Sequence, residues 1–201
     1  MCLASGGGQQ APIFAAAGAN VTSLDISAEQ LQKDSYVAQR DNLMIETIQS
    51  EMTNLSHFKN ETFDIIFHPI SNVFAPDILT VWKECFRVLK YRGRLLAAFM
   101  NPSFYMFDHF EAEKTGIYTV KYKLPYSDID SLSEDQKEKL IQDKSAFEFS
   151  HSLETQIGGQ TKAGFAIVDL YEDWWDDDSN PLKLNEYSPT SIATLARKLK
   201  I

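Results

Sequence analysis

The segment over residues 2–25 constrains the fold of this chain more than any other. It predicts the end of a strand, a glycine turn at 6–8, a short alanine-rich helix that stops at Gly18, and a strand that ends on Asp25. Glycines in such a turn let backbone N–H groups approach a ligand closely, and a helix start favours negative charge. An acid at the end of the next strand can accept two hydrogen bonds from a ribose. The segment therefore predicts a site for a nucleoside cofactor.

Predicted strands and helices alternate along the chain. Apolar runs predict strands at 21–25, 44–49, 63–68, 93–100, 165–172 and 191–198. Between them the sequence predicts helices over about 27–41, 77–89 and 152–162. The run at 63–68 is apolar almost throughout, which is typical of a strand buried on both faces. This alternation predicts a parallel sheet covered by helices on both faces.

Residues 103–150 interrupt the alternation with a segment rich in aromatic and charged side chains. The segment predicts one helix over 133–144 and short strands near 118–124 and 147–151. Ligands of open parallel sheets bind beyond the carboxyl ends of the strands. We therefore expect this segment to form a cap over the substrate side of the sheet.

The length of 201 residues suits one well-buried domain and is short for two. We expect a single domain over 1–201, with a cofactor-binding core at 1–101, the cap at 103–150, and a C-terminal helix and strands at 152–201. Only residues 1–4 precede the glycine turn, whereas a central strand is usually about five or six residues long. We therefore expect the natural product, or its intact relatives, to carry additional N-terminal sequence.

The overall charge and the cysteines exclude several kinds of partner. A net charge of −9 argues against nucleic acid, because phosphate binding needs a basic face. The two cysteines have no paired spacing, so neither a disulfide framework nor a metal site is predicted. No apolar run is long enough to span a membrane and no secretory leader is visible, so we expect a cytoplasmic protein without a membrane partner. Nothing in the sequence indicates an oligomeric state.

The glycine turn taken alone fits two cofactors. Gly6, Gly8 and Ala11 match the G-x-G-x-x-G/A spacing of dinucleotide-binding proteins, and Asp25 stands about where that pattern places its acid. Ala4, Gly6 and Gly8 equally match a relaxed form of the G-x-G-x-G turn that binds S-adenosylmethionine. A glycine-rich turn with no ligand is the third interpretation. The next strands decide between them.

A second acid, Glu51, follows the third predicted strand and is itself followed by Met52. An acid at this place can accept hydrogen bonds from an adenine amino group, while the apolar residue packs on the ring. The chain at this point resembles the class I S-adenosylmethionine-dependent methyltransferases. The resemblance rests on the first motif at 3–8, the ribose acid Asp25, the adenine motif at 50–52, the fourth strand at 63–68, and the run at 86–96 in place of the family's "RVLKPGG" segment.

The resemblance implies a doubly wound, mostly parallel Rossmann-like sheet of about seven strands with an antiparallel last strand and a cap insertion. It also implies methyl transfer from S-adenosylmethionine to a small-molecule acceptor. The residues implied in cofactor binding are Ala4, Ser5, Gly6, Gly8, Asp25, Ile26, Glu51, Met52 and His68. Two positions depart from the family pattern. Cys2 stands where an acid is often found, and Ala4 replaces the first glycine, which is tolerable if its φ is negative.

The candidate catalytic residue is His68, which ends the fourth predicted strand and is expected to face the place of the sulfonium methyl group. It would act as a general base if the nucleophile arrives protonated, and the alternative is a residue that shapes the pocket through a backbone hydrogen bond. Candidate substrate residues are Asn72, Tyr105 and Tyr122, although aromatic residues of an insertion also commonly pack a small core of their own. The loop after the fourth strand reads His-Pro-Ile-Ser-Asn rather than the Asn-Pro-Pro-Tyr of base-amino methylases, which disfavours a nucleic-acid base as acceptor.

Two other functions fit the glycine turn. A nicotinamide-dependent reductase would share its spacing, but the late helix over 133–144 lacks the Tyr-x-x-x-Lys pair of short-chain reductases. A cofactor-binding fragment without catalysis is the other alternative. The acidic run at 174–178 is most simply a solvated turn after a strand, with a cation-binding lip as the second interpretation.

Overall fold

The structure is a computed structural model that describes residues 1–174 and 184–199. Its strands are β1 (Cys2–Leu3), β2 (Val21–Asp25), β3 (Ile45–Gln49), β4 (Phe63–Pro69), β5 (Leu89–Met100), β6 (Phe165–Asp173) and β7 (Ser191–Lys198). They form one sheet in the order β3-β2-β1-β4-β5-β7-β6. The last strand, β7, runs antiparallel to both neighbours, and the other pairings are parallel. The predicted fold class is confirmed.

Seven α-helices lie in the described residues. They are α1 (Gln10–Ala16), α2 (Ala28–Asp41), α3 (Ile78–Val88), α4 (His109–Thr115), α5 (Asp128–Ser131), α6 (Glu134–Gln142) and α7 (Gly159–Ala163). The two longest helices, α2 and α3, begin with side-chain caps. Ser27 Oγ accepts the Gln30 N–H in α2, and Asp77 Oδ1 accepts the Thr80 N–H in α3. None of these helices is both long and apolar enough to cross a membrane.

Two adjacent residues of β4 show that helices cover both faces of the sheet. The Phe67 ring packs on Phe14 of α1, with ring centroids 5.1 Å apart. The His68 ring packs on Trp82 of α3, with centroids 6.0 Å apart. Because successive side chains of a strand point to opposite faces, α1 and α3 lie on opposite sides. Helix α2 packs beside α1, and α7 packs beside α3.

The main core lies between the sheet and α3, around the fully buried Trp82. The apolar stripe of this helix faces inward because its buried positions, Ile78, Val81, Trp82, Cys85 and Val88, recur at helical spacing. The indole N–H donates to the Thr155 carbonyl oxygen at 3.0 Å, just before α7. Burial of an aromatic side chain of this size removes about 150–250 Å² from water, a stabilisation of about 4–6 kcal/mol.

Several boundaries differ from the sequence predictions. The predicted strands at 118–124 and 147–151 are wrong, because each segment contributes only one isolated bridge, Phe107 to Val120 and Ser127 to Phe149. Strand β5 begins earlier than predicted because Leu89 already pairs with Phe63 of β4. The predicted helix over 152–162 contains a π-helical turn, Glu154–Gly158, before α7. The acidic run after Trp174 lies outside the described residues.

Both cysteines are buried thiols. Cys2 lies in β1 and Cys85 in α3, and each is at most 2% exposed. Burial disfavours the charged thiolate, so it raises the pKa of Cys2 to about 11 and raises the pKa of Cys85 as well.

Candidate functional site

A cavity of about 770 Å³ lies at the carboxyl ends of β1, β2, β4 and β5. We call it the glycine-turn cavity, and its walls include Gly6, Asp25, Met52, Ile70, Tyr105 and Glu148. A second cavity, of about 460 Å³, lies at the amino ends of the strands beside Met1 and Phe63. Ligands of open α/β sheets bind at the carboxyl ends, so the glycine-turn cavity is the candidate site.

The turn between β1 and α1 holds four residues in the left-handed region of backbone space. The φ angles are +51° at Ala4, +64° at Gly6, +67° at Gly7 and +79° at Gly8. The expectation that Ala4 is tolerated because its φ is negative is therefore wrong. The Cβ of Ala4 makes its left-handed conformation less favourable by about 1–2 kcal/mol. Glycine carries no such cost at the other three positions.

Gly7 is the position where the turn touches α2. A Cβ on Gly7 would contact the carbonyl oxygen of Gln30 and would lie 2.9 Å from its Cα. A Cβ on Gly6 would meet nothing within 4 Å. Packing against α2 therefore requires glycine at position 7, whereas the open space beside Gly6 belongs to the cavity.

Asp25 is fixed in place by two backbone donors. The Ser27 N–H donates to its Oδ1 at 2.9 Å, and the Gly6 N–H donates to its Oδ2 at 3.1 Å. A carboxylate offers about four acceptor positions, so each oxygen keeps one for a ligand. The acid is thus oriented in advance at the wall of the cavity.

A buried acid that sequence reasoning missed, Asp34 of α2, holds the turn from below. It is fully buried and accepts hydrogen bonds from Ser23 Oγ at 2.5 Å, the Gly8 N–H at 2.6 Å and Ser5 Oγ at 3.0 Å. The available signal was its spacing, because Leu31, Asp34 and Ala38 form the buried stripe of α2. An acid at a core-facing position needs local donors, and the turn provides them.

The structure brings most of the predicted cofactor residues to one cavity. Those that line it are Ala4, Ser5, Gly6, Asp25, Ile26 and Met52. Gly8 supports the turn through Asp34 and does not border the cavity. Glu51 is exposed outside it and accepts a hydrogen bond from Thr53 Oγ1 at 3.3 Å. Gln10 borders the cavity with its Oε1 buried and without a partner among the described residues.

The expectation that His68 faces the cavity is wrong. Its ring is fully buried on the α3 face of the sheet and is absent from the cavity wall. The Nδ1–H donates to the Leu3 carbonyl oxygen at 3.1 Å, which leaves Nε2 as an acceptor with no partner among the described residues. This geometry fits the alternative role, in which His68 ties β4 to β1 and shapes the turn.

His68 makes the stability of the protein sensitive to acid. Burial lowers its pKa from 6.5 to about 4, so between these values the unfolded chain binds a proton that the folded chain does not. The free energy of unfolding should fall by about 3 kcal/mol as pH falls through this window, and the contribution is fully present above it. Denaturant unfolding between about pH 7 and pH 4 measures this.

The control for this prediction is His68→Asn, whose amide keeps a donor for the Leu3 carbonyl and does not titrate. Protonation of the carboxylates lowers the free energy of unfolding equally in both proteins. Between about pH 7 and pH 4 the free energy of unfolding should therefore fall by about 3 kcal/mol less in the variant than in the parent. Parallel pH profiles would show that His68 does not carry this effect.

Asn72 is buried away from the cavity, which corrects its predicted contact with substrate. Its Nδ2 donates to Gln156 Oε1 at 2.8 Å in a polar cluster on the α3 face. Gln160 and Thr194 continue this cluster, with Thr194 Oγ1 donating to Gln160 Oε1 at 3.2 Å. These contacts hold the π-helical turn and α7 against the loop after β4.

Two residues of the expected cap, Tyr105 and Glu148, line the glycine-turn cavity. The Tyr105 hydroxyl donates to Glu148 Oε2 at 2.6 Å. Burial, together with the charge of Asp128, raises the pKa of Glu148. Tyr122 lies on a neighbouring cavity of the cap rather than on this one. Sequence reasoning missed Glu148, which no local pattern marks.

Comparison with known proteins identifies the family. Residues 1–97 match the family model described as a methyltransferase domain. The chain is 47% identical over 199 residues to the "Uncharacterized methyltransferase YbaJ" of Bacillus subtilis (strain 168), a match over 99% of this chain and 76% of that protein. This chain belongs to the methyltransferase family. The predicted resemblance to class I S-adenosylmethionine-dependent methyltransferases is confirmed.

Two solved structures share the fold of this methyltransferase. One is a SAM-dependent methyltransferase from Methanosarcina mazei, with a TM-score of 0.69, 16% identity, and coverage of 100% of this chain and 92% of that one. The other is an S-adenosylmethionine-dependent methyltransferase from Mesorhizobium loti, with a TM-score of 0.65, 16% identity, and coverage of 89% and 80%. At this level of identity the likeness concerns the fold alone.

Proposed function

We propose that this methyltransferase transfers a methyl group from S-adenosylmethionine to a small-molecule acceptor by in-line displacement. The observation that carries the proposal is Asp25, held by the N–H groups of Gly6 and Ser27 with one acceptor position free on each oxygen. This is the arrangement that two ribose hydroxyls require at the end of a second strand.

The glycine-turn cavity fits the cofactor in other respects. Its volume of about 770 Å³ lies within the range of about 300–1,000 Å³ that small-molecule sites occupy. Ile26 and Met52 supply apolar surface beside Asp25, where an adenine would stack. The unpartnered Gln10 Oε1 offers an acceptor to an ammonium group at the turn. When bound, the cofactor supplies an electrophilic methyl carbon.

The chain's own contribution to methyl transfer is positioning. Displacement at a methyl carbon needs the nucleophile in line with the bond that breaks, and such placement alone can supply much of the rate. Asp25 and Met52 hold one end of the cavity, while Tyr105 and Glu148 of the cap wall the other. A small acceptor between them would be shielded from water by the aromatic wall.

Replacement of Asp25 by Ala should weaken binding of S-adenosylhomocysteine by roughly tenfold to a hundredfold. The change removes one or two charge-assisted hydrogen bonds, a loss of about 1.5–3 kcal/mol. Isothermal titration calorimetry measures it, with a thermal melt to show that the variant is folded. Glu138→Ala is the matched control, since it removes an exposed acid of α6 outside the cavity and should leave the affinity unchanged.

The same titration separates this proposal from a nicotinamide-dependent reductase. S-adenosylhomocysteine should bind to the unmodified protein, and NADH should not. Binding of NADH without S-adenosylhomocysteine would overturn the proposal, as would an unchanged affinity in Asp25→Ala.

A further inference from the structure

A further cavity, of about 220 Å³, lies among residues 104–148, and we call it the aromatic cavity. Its walls include Phe104, Tyr105, Tyr122, Tyr126, Asp128 and Glu148. Phe104, Tyr105 and Glu148 also border the glycine-turn cavity, so the two cavities share a wall. A group bound at Glu148 is therefore within reach of both the cap interior and the cofactor side.

The two carboxylates of the aromatic cavity, Asp128 and Glu148, differ in how many of their oxygens accept a hydrogen bond from the protein. Each oxygen of Asp128 already accepts one hydrogen bond from the protein, Oδ1 from the Tyr126 hydroxyl at 2.7 Å and Oδ2 from the Glu148 N–H at 2.7 Å. Glu148 uses only Oε2, which accepts the Tyr105 hydroxyl, and no described residue donates to its Oε1. Glu148 Oε1 is therefore the oxygen of the two carboxylates to which no described residue donates.

No lysine or arginine of the described chain forms an ion pair with Glu148 or Asp128. Lys144 borders the glycine-turn cavity but is exposed to solvent. Asp128 is buried and Glu148 is half-buried. Two adjacent acids without a cationic partner repel each other, and a bound cation would relieve this cost.

The aromatic rings around these acids suit a cation as well. Tyr105 and Tyr126 stack with centroids 5.4 Å apart, and Tyr122 meets Tyr126 edge to face at 5.0 Å. The faces of such rings attract ammonium groups. Two lysines of the cap already show this preference, with Lys121 Nζ 5.0 Å from the Tyr122 centroid and Lys139 Nζ 5.8 Å from that of Phe110.

We propose that the methyl acceptor is a small organic amine, whose ammonium group binds at Glu148 beside the tyrosine rings, and that Glu148 takes its proton. This inference rests on the proposed function and names the acceptor class for the same site. The N–H bond breaks and the proton moves to Glu148 Oε1, which leaves a lone pair on nitrogen. That pair forms the new N–C bond, and the C–S bond breaks with its electrons going to sulfur.

The environment of Glu148 supports the role of base. Burial and the neighbouring Asp128 raise its pKa, which brings the carboxylate closer in basicity to an amine. Tyr105 keeps its proton because burial and Glu148 raise its pKa, so it stays a hydrogen-bond donor to the carboxylate. The base is thereby held in one orientation, with Oε1 toward the ligand.

A pair of isosteric probes tests the proposal by binding alone. Choline carries a quaternary ammonium group, and 3,3-dimethylbutan-1-ol has the same shape without the charge. We expect choline to bind the protein at least about tenfold more tightly than the alcohol, by calorimetry in the presence of S-adenosylhomocysteine. Equal affinities, or no binding of choline, would overturn the inference.

The matched variants are Glu148→Gln and Glu138→Gln. The first keeps an oxygen that accepts the Tyr105 hydroxyl and removes the charge, so affinity for choline should fall about tenfold while affinity for the alcohol stays the same. The second removes an exposed acid of α6 and should change neither. Unchanged choline binding in Glu148→Gln contradicts the inference. If choline binding fails these tests while S-adenosylhomocysteine still binds, the amine inference is overturned and the proposed function stands.

Discussion

Gly7→Ala should destabilise this methyltransferase by about 2–5 kcal/mol, more than the same substitution one residue earlier. Both positions have a left-handed φ, which costs an alanine about 1–2 kcal/mol. At Gly7 the new Cβ also meets the backbone of Gln30, and only a shift of α2 or of the turn can relieve the contact. Overpacking of this kind adds about 1–3 kcal/mol.

Gly6→Ala is the control, because its φ is similar and its Cβ meets no atom within 4 Å. It should lose only the conformational cost in denaturant unfolding, yet bind S-adenosylhomocysteine more weakly, since the methyl group enters the cavity. Equal losses of stability in the two variants would show that the contact with α2 does not constrain Gly7.

Asp34→Ala should lower the free energy of unfolding by about 3 kcal/mol. The change removes the acceptor of the Gly8 N–H and of the Ser5 and Ser23 hydroxyls. The two hydroxyls lie 2.8 Å apart, so one can still donate to the other, but the Gly8 N–H loses its acceptor. Each hydrogen bond to a charged group contributes about 1.5–3 kcal/mol. The net loss is smaller than their sum, because removing the buried charge also removes its desolvation cost.

Asp34→Asn separates the charge from the shape of this site. The amide keeps one oxygen acceptor, and its NH₂ can donate to a serine oxygen, so the loss should be about half that of the alanine variant. Chemical denaturation of the three proteins measures the series. An alanine variant within about 0.5 kcal/mol of the parent would mean that the turn does not depend on Asp34.

Local patterns were sufficient for the core of the fold. The apolar run at 63–68 and the helical spacing around Trp82 fixed β4 and α3 to within about two residues. The glycine turn and Asp25 were predicted together because they are close in sequence and meet at one sheet edge. These positions could be predicted because the residues they contact are close in sequence or are brought close by the order of the strands.

His68 shows what a local pattern leaves undetermined. Its place at the end of β4 was right, but the local pattern did not determine the face of the sheet to which its ring points. Successive side chains of a strand point to opposite faces, and Phe67 points to the α1 side, so His68 points to the α3 side. Asp34 and Glu148 were missed for a related reason. Their partners, Ser5 for the first and Tyr105 for the second, lie 29 and 43 residues away in sequence.

Some expectations stay predictions. These are the core at 1–101, the cap at 103–150 and the C-terminal part at 152–201. The contact of Glu51 with an adenine is not favoured by its exposed position outside the cavity.

The two buried thiols give this protein built-in reporters of local opening. A maleimide or iodoacetamide reagent reacts with the thiolate, so in the folded state neither cysteine offers an accessible target. Cys2 sits in the short strand beside the glycine turn, whereas Cys85 sits in the helix at the centre of the core. The order in which the two are alkylated therefore distinguishes a fluctuation that frees the turn from one that opens the whole molecule.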